Sequence, residues 1–409
     1  MANVLVLSSL DSHNIGQGWT YATDLKRNEN HNVFYLSFQK NREDSENYII
    51  DLQKFSIRTF LFRLQRFFRY KIFIRKRENS IFNFTDHGSY TSAREILQSV
   101  PFVPNYIVFS LNYEFLSSSV VRDLYNSTKA TLFFMMVDEG LLGGGCHNTF
   151  DCDGYMRKCE NCPALCSGCD YAAKILNEKR DIFGKLDDFH VVATSFDLEK
   201  VKKTSFLKKA KCHRLVMIPE TPFKMEKRDA RKCLGIGSSD FVIFAGAQST
   251  ANKSKGFAYL IEALKIFSQE KRDRHIVLLL IGNNDMPVTS TDSYSVMSLG
   301  FVNSETMFRA YYACDFFLSS SIADAGPMMV NFSIACGRPV VAFPIGVALD
   351  LVEDNITGYI CDYKNSVDMA HCINNMYEKS DADLLEMRDN CFSKYKREKE
   401  SSHWYDCIK

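Results

Sequence analysis

The chain reads as an α/β protein built from two doubly wound, Rossmann-like domains. Three observations lead there. Short apolar runs alternate with helical stretches along all 409 residues. Most of those runs are continuous, as strands of a parallel sheet covered on both faces are, and not alternating as in a half-exposed sheet. They also fall into two sets, separated by a charged stretch with two prolines at 219–231, PETPFKMEKRDAR.

In order along the chain, the first set comprises residues 4–8, 33–37, 106–111, 131–137 and 191–195. The second comprises 241–245, 276–281, 296–299, 316–319 and 340–343. A chain of this length exceeds one ordinary core, so two domains are expected. They are placed at 1–212, with a Cys-rich insert at 146–169, and at 213–389. The polar tail 390–409 carries Trp404 and Tyr405, an aromatic pair expected to dock back on the first domain.

Composition narrows the function classes. Hydrophobic residues make up 46% and charged residues 24%, ordinary values for a globular protein. A net charge of +1 gives no electrostatic case for nucleic acid. The opening MANVLVLSSLDS has a short apolar run and no basic leader, so it reads as a first strand and not as a signal peptide. No run approaches the ~20 apolar residues of a spanning helix, and the expected location is cytoplasmic. Residues 63–77 hold seven Lys or Arg and no acid, interleaved with Phe67, Phe68, Tyr70, Ile72, Phe73 and Ile74. Two readings stand: a solvated basic face, or a peripheral contact with an anionic membrane.

Six of the 14 cysteines fall between Cys146 and Cys169. Cys146, Cys152, Cys159 and Cys162, with the spacing C-x5-C-x6-C-x2-C, have the character of a structural zinc site. His147 lies among them, and Cys166 with Cys169 allows other ligand choices. Buried free thiols and disulfides are the alternatives. The eight scattered cysteines read as small buried apolar residues.

The stretch 321–343, SIADAGPMMVNFSIACGRPVVAF, has the parts of a phosphate-binding turn. A strand runs into a loop with Gly326 and Pro327, and a helix begins near Met328. It ends at Cys336 and Gly337 before the next strand. Such a loop presents free backbone N–H groups and a positive dipole end to an anion. In open α/β sheets ligands gather there.

Three segments of the second half carry a family resemblance in the expected order. They are FAGAQSTANKSKGFAYL at 244–260, LGFVNSETMFRAYYACDFFL at 299–318, and the phosphate turn continuing into LVEDNITGYI. Over residues 214–375 the chain resembles the retaining, family-4-like glycosyltransferases (group 1) of the GT-B fold. In the first half, VDEGLLGGGCHNTFDCDGYMRKCENCP at 137–163 is similar to a segment of bacterial polysaccharide glycosyltransferases. Gly16 and Gly18 stand where the fold has a glycine-rich loop facing an interdomain cleft.

The resemblance implies a nucleotide-sugar donor, UDP- or GDP-linked, bound mainly by the second domain. It implies a glycan or lipid-linked acceptor on the first domain and no cofactor required for catalysis. Lys255, with Lys253 near it, would neutralise the donor diphosphate; Ser254 stands where the family has an Arg. Asp324 would accept from donor-sugar hydroxyls. Val302, Gly326, Met328, Met329 and Asn331 complete the donor site. The family's ribose-binding acid falls at Phe332, which cannot accept those bonds, a loss of about 1.5–3 kcal/mol. On that alignment Phe332→Glu is expected to tighten donor binding. The active-site His of the family falls at Val137; Asp138 beside it either orients the acceptor hydroxyl or holds its own loop. Phe332, Val137 and Ser254 favour a second reading, an impaired GT-B protein acting as nucleotide-sugar binder or partner subunit. A nicotinamide oxidoreductase is disfavoured, because neither first strand leads into a clean G-x-G-x-x-G.

Overall fold

A computed structural model describes residues 1–11, 18–27, 31–40, 48–49, 57–74, 91–111, 116–217, 219–324, 326, 328–401 and 403–408. The chain divides into two units, Met1–Leu215 with Ser402–Lys409, and Val216–Ser401.

The first unit holds a seven-stranded parallel sheet. Its strands are β1 (Ala2–Asp11), β2 (His31–Lys40), β3 (Tyr48–Ile49), β4 (Tyr106–Phe109), β5 (Thr131–Met135), β6 (Phe189–Ala193) and β7 (Lys211–Arg214), in the order β3-β2-β1-β4-β5-β6-β7. Val4 of β1 lies opposite Val33 on one side and Tyr106 on the other. Residue 195, read as strand, belongs to a helix. Thr194 accepts from the N–H of Asp197 at 3.3 Å and caps Ser195–Lys203. β7 reads KCHR and is mostly exposed, so no apolar run announces this edge strand.

The second unit holds a six-stranded parallel sheet: β8 (Phe241–Ser249), β9 (Ile276–Asn283), β10 (Tyr294–Ser298), β11 (Phe316–Ser319), β12 (Val340–Ala342) and β13 (Gly358–Ile360). Their order is β10-β9-β8-β11-β12-β13. Alternate residues of β8 feed two cores. Val242 and Phe244 join one, while Phe241, Ile243 and Ala245 join the other. That two-sided burial is why the strand reads as an unbroken apolar run.

Residues 390–400, assigned to a tail from sequence, are the second half of the helix Asp381–Glu400, which starts on a Ser380 capping box. The chain leaves the second unit after Ser401. Within the first unit Trp404 is buried, 5.7 Å from the ring of Phe133 and 6.1 Å from that of Tyr21. Among the described residues, no helix is long and apolar enough to cross a membrane.

Candidate functional site

In the second unit two loops meet at the carboxyl ends of β8 and β11. The first contains the 3-10 turn Lys253–Lys255, capped by Asn252, whose side chain accepts from the N–H of Ser254 at 3.1 Å. Gly256 follows with φ of 61° and begins the helix Phe257–Phe267. A Cβ there would stand 2.0 Å from the carbonyl oxygen of Ser320, so only glycine lets the loops approach this closely. Backbone bonds then stitch them together. The N–H groups of Ile322 and Ala323 donate to the Ser254 carbonyl at 2.8 and 3.2 Å, and Ser320 Oγ donates to the Lys255 carbonyl at 2.8 Å. Ser254, where the family has a basic side chain, thus works through its backbone.

The stitching brings Lys255 and Asp324 together: Nζ of Lys255 donates to Oδ2 of Asp324. The other carboxylate oxygen accepts from the N–H of Gly326 at 3.1 Å. Both side chains are less than a third exposed, 29% and 17%, so their charges are only partly screened. Tyr363, which sequence reasoning missed, donates to the Ile322 carbonyl at 2.8 Å and braces the acid loop from below. Lys253 is exposed on the rim of the first loop, and Val302 is half-buried against the core.

The helix after the acid loop, Met328–Ala335, begins with the half-buried Met328 and Met329. Its first N–H groups lie beyond the reach of intrahelical acceptors. Asn331 is 3% exposed; its amide nitrogen contacts Met328 Sδ at 3.6 Å, and its Oδ1 is buried with no hydrogen-bond partner. Phe332 takes a different part from the ribose-facing position that the alignment implied. It is 7% exposed and packs edge-on against Phe308 at 5.4 Å and beside Tyr311 at 6.2 Å. This position faces the core, which argues against the expectation that Phe332→Glu tightens binding, because the carboxylate would enter an aromatic cluster.

In the first unit Asp138 follows β5. Its Oδ1 accepts from the N–H of Gly140 at 2.8 Å, and Oδ2 lies 2.5 Å from Nδ1 of His147. The sequence grouped His147 with the cysteines; the structure makes it the partner of Asp138. The loop that returns His147 is clamped by buried charge. Lys179, fully buried, donates to the carbonyls of Gly140 and Gly143 at 2.6 and 2.8 Å. Glu139 pairs with Lys200 and accepts from the N–H of Thr149 at 2.5 Å. Val137 is 45% exposed. Gly16 lies outside the described residues, and Gly18 opens the helix Gly18–Arg27.

All 14 cysteines are free. Cys314, Cys336, Cys361, Cys372 and Cys391 are buried as expected, whereas Cys212 and Cys233 are exposed. Cys212 stands on the edge strand β7, and Cys233 on the short helix Lys227–Leu234. Cys146 and Cys162 are hydrogen-bonded, which raises the Cys146 thiol and lowers that of Cys162 to about 7. The sulfurs of Cys152 and Cys159 flank Gly154, whose added Cβ would meet them at 3.3 and 3.8 Å. Backbone N–H groups point at three of the four: Gly154 at Cys152, Gly144 at Cys159, and Ala164 with Leu165 at Cys162. The four share one neighbourhood, but no three of them have sulfurs all within 4.8 Å. Among the described residues that spacing is met by Cys361, Asp368 and Cys372 in the second unit.

Residues 239–379 match the family glycosyl transferases group 1. A 155-residue stretch is 27% identical to an uncharacterised glycosyltransferase of Methanocaldococcus jannaschii, covering 36% of this chain and 38% of that relative. The match therefore spans well under half of the relative's length. Sucrose-phosphate synthase from Thermosynechococcus elongatus superposes with a TM-score of 0.64 at 15% identity, over 99% of this chain and 96% of that one. Anabaena HepE, in complex with UDP and glucose, gives 0.61 at 14% identity over 97% and 95%. Two parallel sheets, each strand-ordered about its own first strand, are the frame of this fold; the chain has the GT-B fold of the glycosyltransferases, and residues 239–379 of its second unit match the group 1 family.

Proposed function

We propose that this protein is a retaining glycosyltransferase of cell-surface polysaccharide biosynthesis. It moves a sugar from a UDP- or GDP-linked donor to a glycan or lipid-linked acceptor, on the cytoplasmic side of the membrane. The observation that carries this reading is the Lys255–Asp324 pair at the start of the helix Met328–Ala335. In this reading donor binding exchanges the partners of this pair. The diphosphate takes Lys255 and the N–H groups of Gly326, Met328 and Met329, with Lys253 adding charge at the rim. Asp324, released from Lys255, accepts from sugar hydroxyls. UDP and glucose in the HepE complex favour UDP over GDP.

In the transfer step the bond from the anomeric carbon to the diphosphate oxygen breaks, and the acceptor oxygen bonds that carbon on the same face. The acceptor proton passes to the leaving phosphate. Lys255 and the helix amides stabilise the negative charge that grows on the diphosphate. Both oxygens of Asp138 are engaged, so Asp138 acts on the acceptor hydroxyl through the His147 ring it positions. No metal takes part in this step. In this reading Cys146, Cys152, Cys159 and Cys162 would hold a structural zinc ion; their shared neighbourhood and the amides aimed at three of the sulfurs speak for it, and the sulfur spacing, wider than zinc requires, speaks against it.

The second reading, a nucleotide-sugar binder or partner subunit, follows from Val137, exposed where the resembled enzymes have their active-site His, and from Ser254 in place of a basic side chain. One experiment separates the two. UDP-, GDP-, ADP- and CMP-sugars are screened by thermal shift, and hits are tested for donor hydrolysis and transfer. Turnover supports the enzyme, binding alone supports the second reading, and no binding to any sugar nucleotide removes both.

A further inference from the structure

The helix Ile57–Phe73 carries a feature that sugar transfer does not use. Ile57, Leu61, Leu64, Phe67, Phe68 and Ile72 recur every three or four residues and so form one stripe. All six are exposed, from 40% at Leu64 to 75% at Ile57. The other face is anchored. Phe62 packs against the core of the first unit. Phe73 lies 5.1 Å from the ring of Tyr171, over which the Arg69 guanidinium sits at 5.4 Å. The Phe73 carbonyl accepts from the N–H of Cys166 at 2.8 Å, and Ile74 bridges Leu165. The cysteine-rich loop therefore clips the end of the helix, and the apolar stripe is left facing outward.

We infer that this helix docks in the plane of an anionic lipid bilayer. Charge selects the partner. The 17 residues IRTFLFRLQRFFRYKIF contain four Arg, one Lys and no acid, and Lys71 reaches over the Phe67 ring at 4.5 Å. A stripe of Phe, Leu and Ile on a helix whose charged residues are all cationic suits acyl chains beneath acidic headgroups. The segment is far too basic to cross the membrane, so it lies along the surface. This inference stands on the helix alone and does not depend on the transferase reading.

The test is vesicle co-sedimentation of the full chain, using phosphatidylcholine with and without phosphatidylglycerol. The protein should pellet with the anionic vesicles and stay in the supernatant with the neutral ones. The double variant Phe67→Ser/Phe68→Ser should lower partitioning by roughly tenfold or more, with an unchanged melting temperature because both rings are exposed. Arg63→Gln and Lys71→Gln should each lower it by roughly fivefold. Equal recovery in both supernatants overturns the inference. So does a wild-type dimer that Phe67→Ser/Phe68→Ser disperses, since the stripe would then cover a second copy of this chain.

Discussion

The two sheets present comparable polar pairs at their carboxyl edges, Lys255–Asp324 in the second unit and His147–Asp138 in the first. They are held in opposite ways. The lysine pair stands on two loops joined by backbone hydrogen bonds and by a glycine that no other residue can replace. The histidine pair stands on one glycine-rich loop clamped by two buried charged side chains, Lys179 and Glu139. Backbone stitching fixes where an anion can sit while leaving the side chains free to change partners. Buried charge fixes a loop through side chains, and that places a ring without preparing it to let go. The difference separates a pair held by backbone from a pair held by buried side chains.

The largest expected effect tests the support of the first pair. Phe332 closes the aromatic cluster beneath the helix Met328–Ala335. Phe332→Glu should destabilise the second unit by about 3–5 kcal/mol, through lost packing and a buried unpaired carboxylate. Chemical denaturation measures it, and a variant of wild-type stability with tighter donor binding would restore the ribose-facing alignment. Next, Lys255→Ala should reduce transfer by about 10²–10³-fold and strip Asp324 of its resting partner. Turnover within a factor of a few of wild type would show that the pair is structural. Smaller again, Asp138→Asn keeps the bond from Gly140 but weakens the hold on His147. Transfer should fall by about tenfold, with donor affinity measured by thermal shift unchanged. A loss of donor affinity instead would erase the distinction drawn between the two pairs.

The same contrast explains what could be read from residues alone. The strands β8, β9, β11 and β12 are buried on both faces and announce themselves as apolar runs. β7 is an exposed edge and β13 three residues long, so neither leaves a pattern. Lys255, Asp324 and the glycines between them lie within short segments whose spacing carries their chemistry. His147 joins Asp138 only because the chain turns back through Gly143, Gly144 and Gly145, and the side chains that hold that turn, Lys179 and Lys200, come from helices far along the sequence. Phe332 misled for a related reason. Its place in a motif is a matter of counting, whereas its direction is set by Phe308 and Tyr311 on another helix.

The smallest effect concerns the edge of the first unit, where the C-terminal turn Trp404–Cys407 packs. His190 and His213 stack with ring centroids 5.0 Å apart, and Nδ1 of His190 lies 2.8 Å from Nε2 of His213. Cys407 Sγ reaches Nδ1 of His213 at 3.6 Å, and Phe133 lies against both rings. Burial holds both imidazoles below their ordinary value. Lys211 adds to this for both, and Asp188 opposes it for His190. Asp188, which burial alone would raise, is brought down to about 2 by Lys211, Thr131 and His190. The folded unit therefore favours neutral rings, while the unfolded chain takes up protons once the pH falls below about 6.5. The stabilisation is present above that value and is lost as the pH drops through it toward the depressed folded values. Both tryptophans, Trp19 and Trp404, belong to the first unit, so tryptophan fluorescence follows its unfolding separately from that of the second. Its melting temperature should decline between about pH 7 and 5.5, and His213→Gln should flatten the decline. A slope that His213→Gln leaves untouched would assign the acid sensitivity to other groups and leave the C-terminal turn held by packing of Trp404 alone.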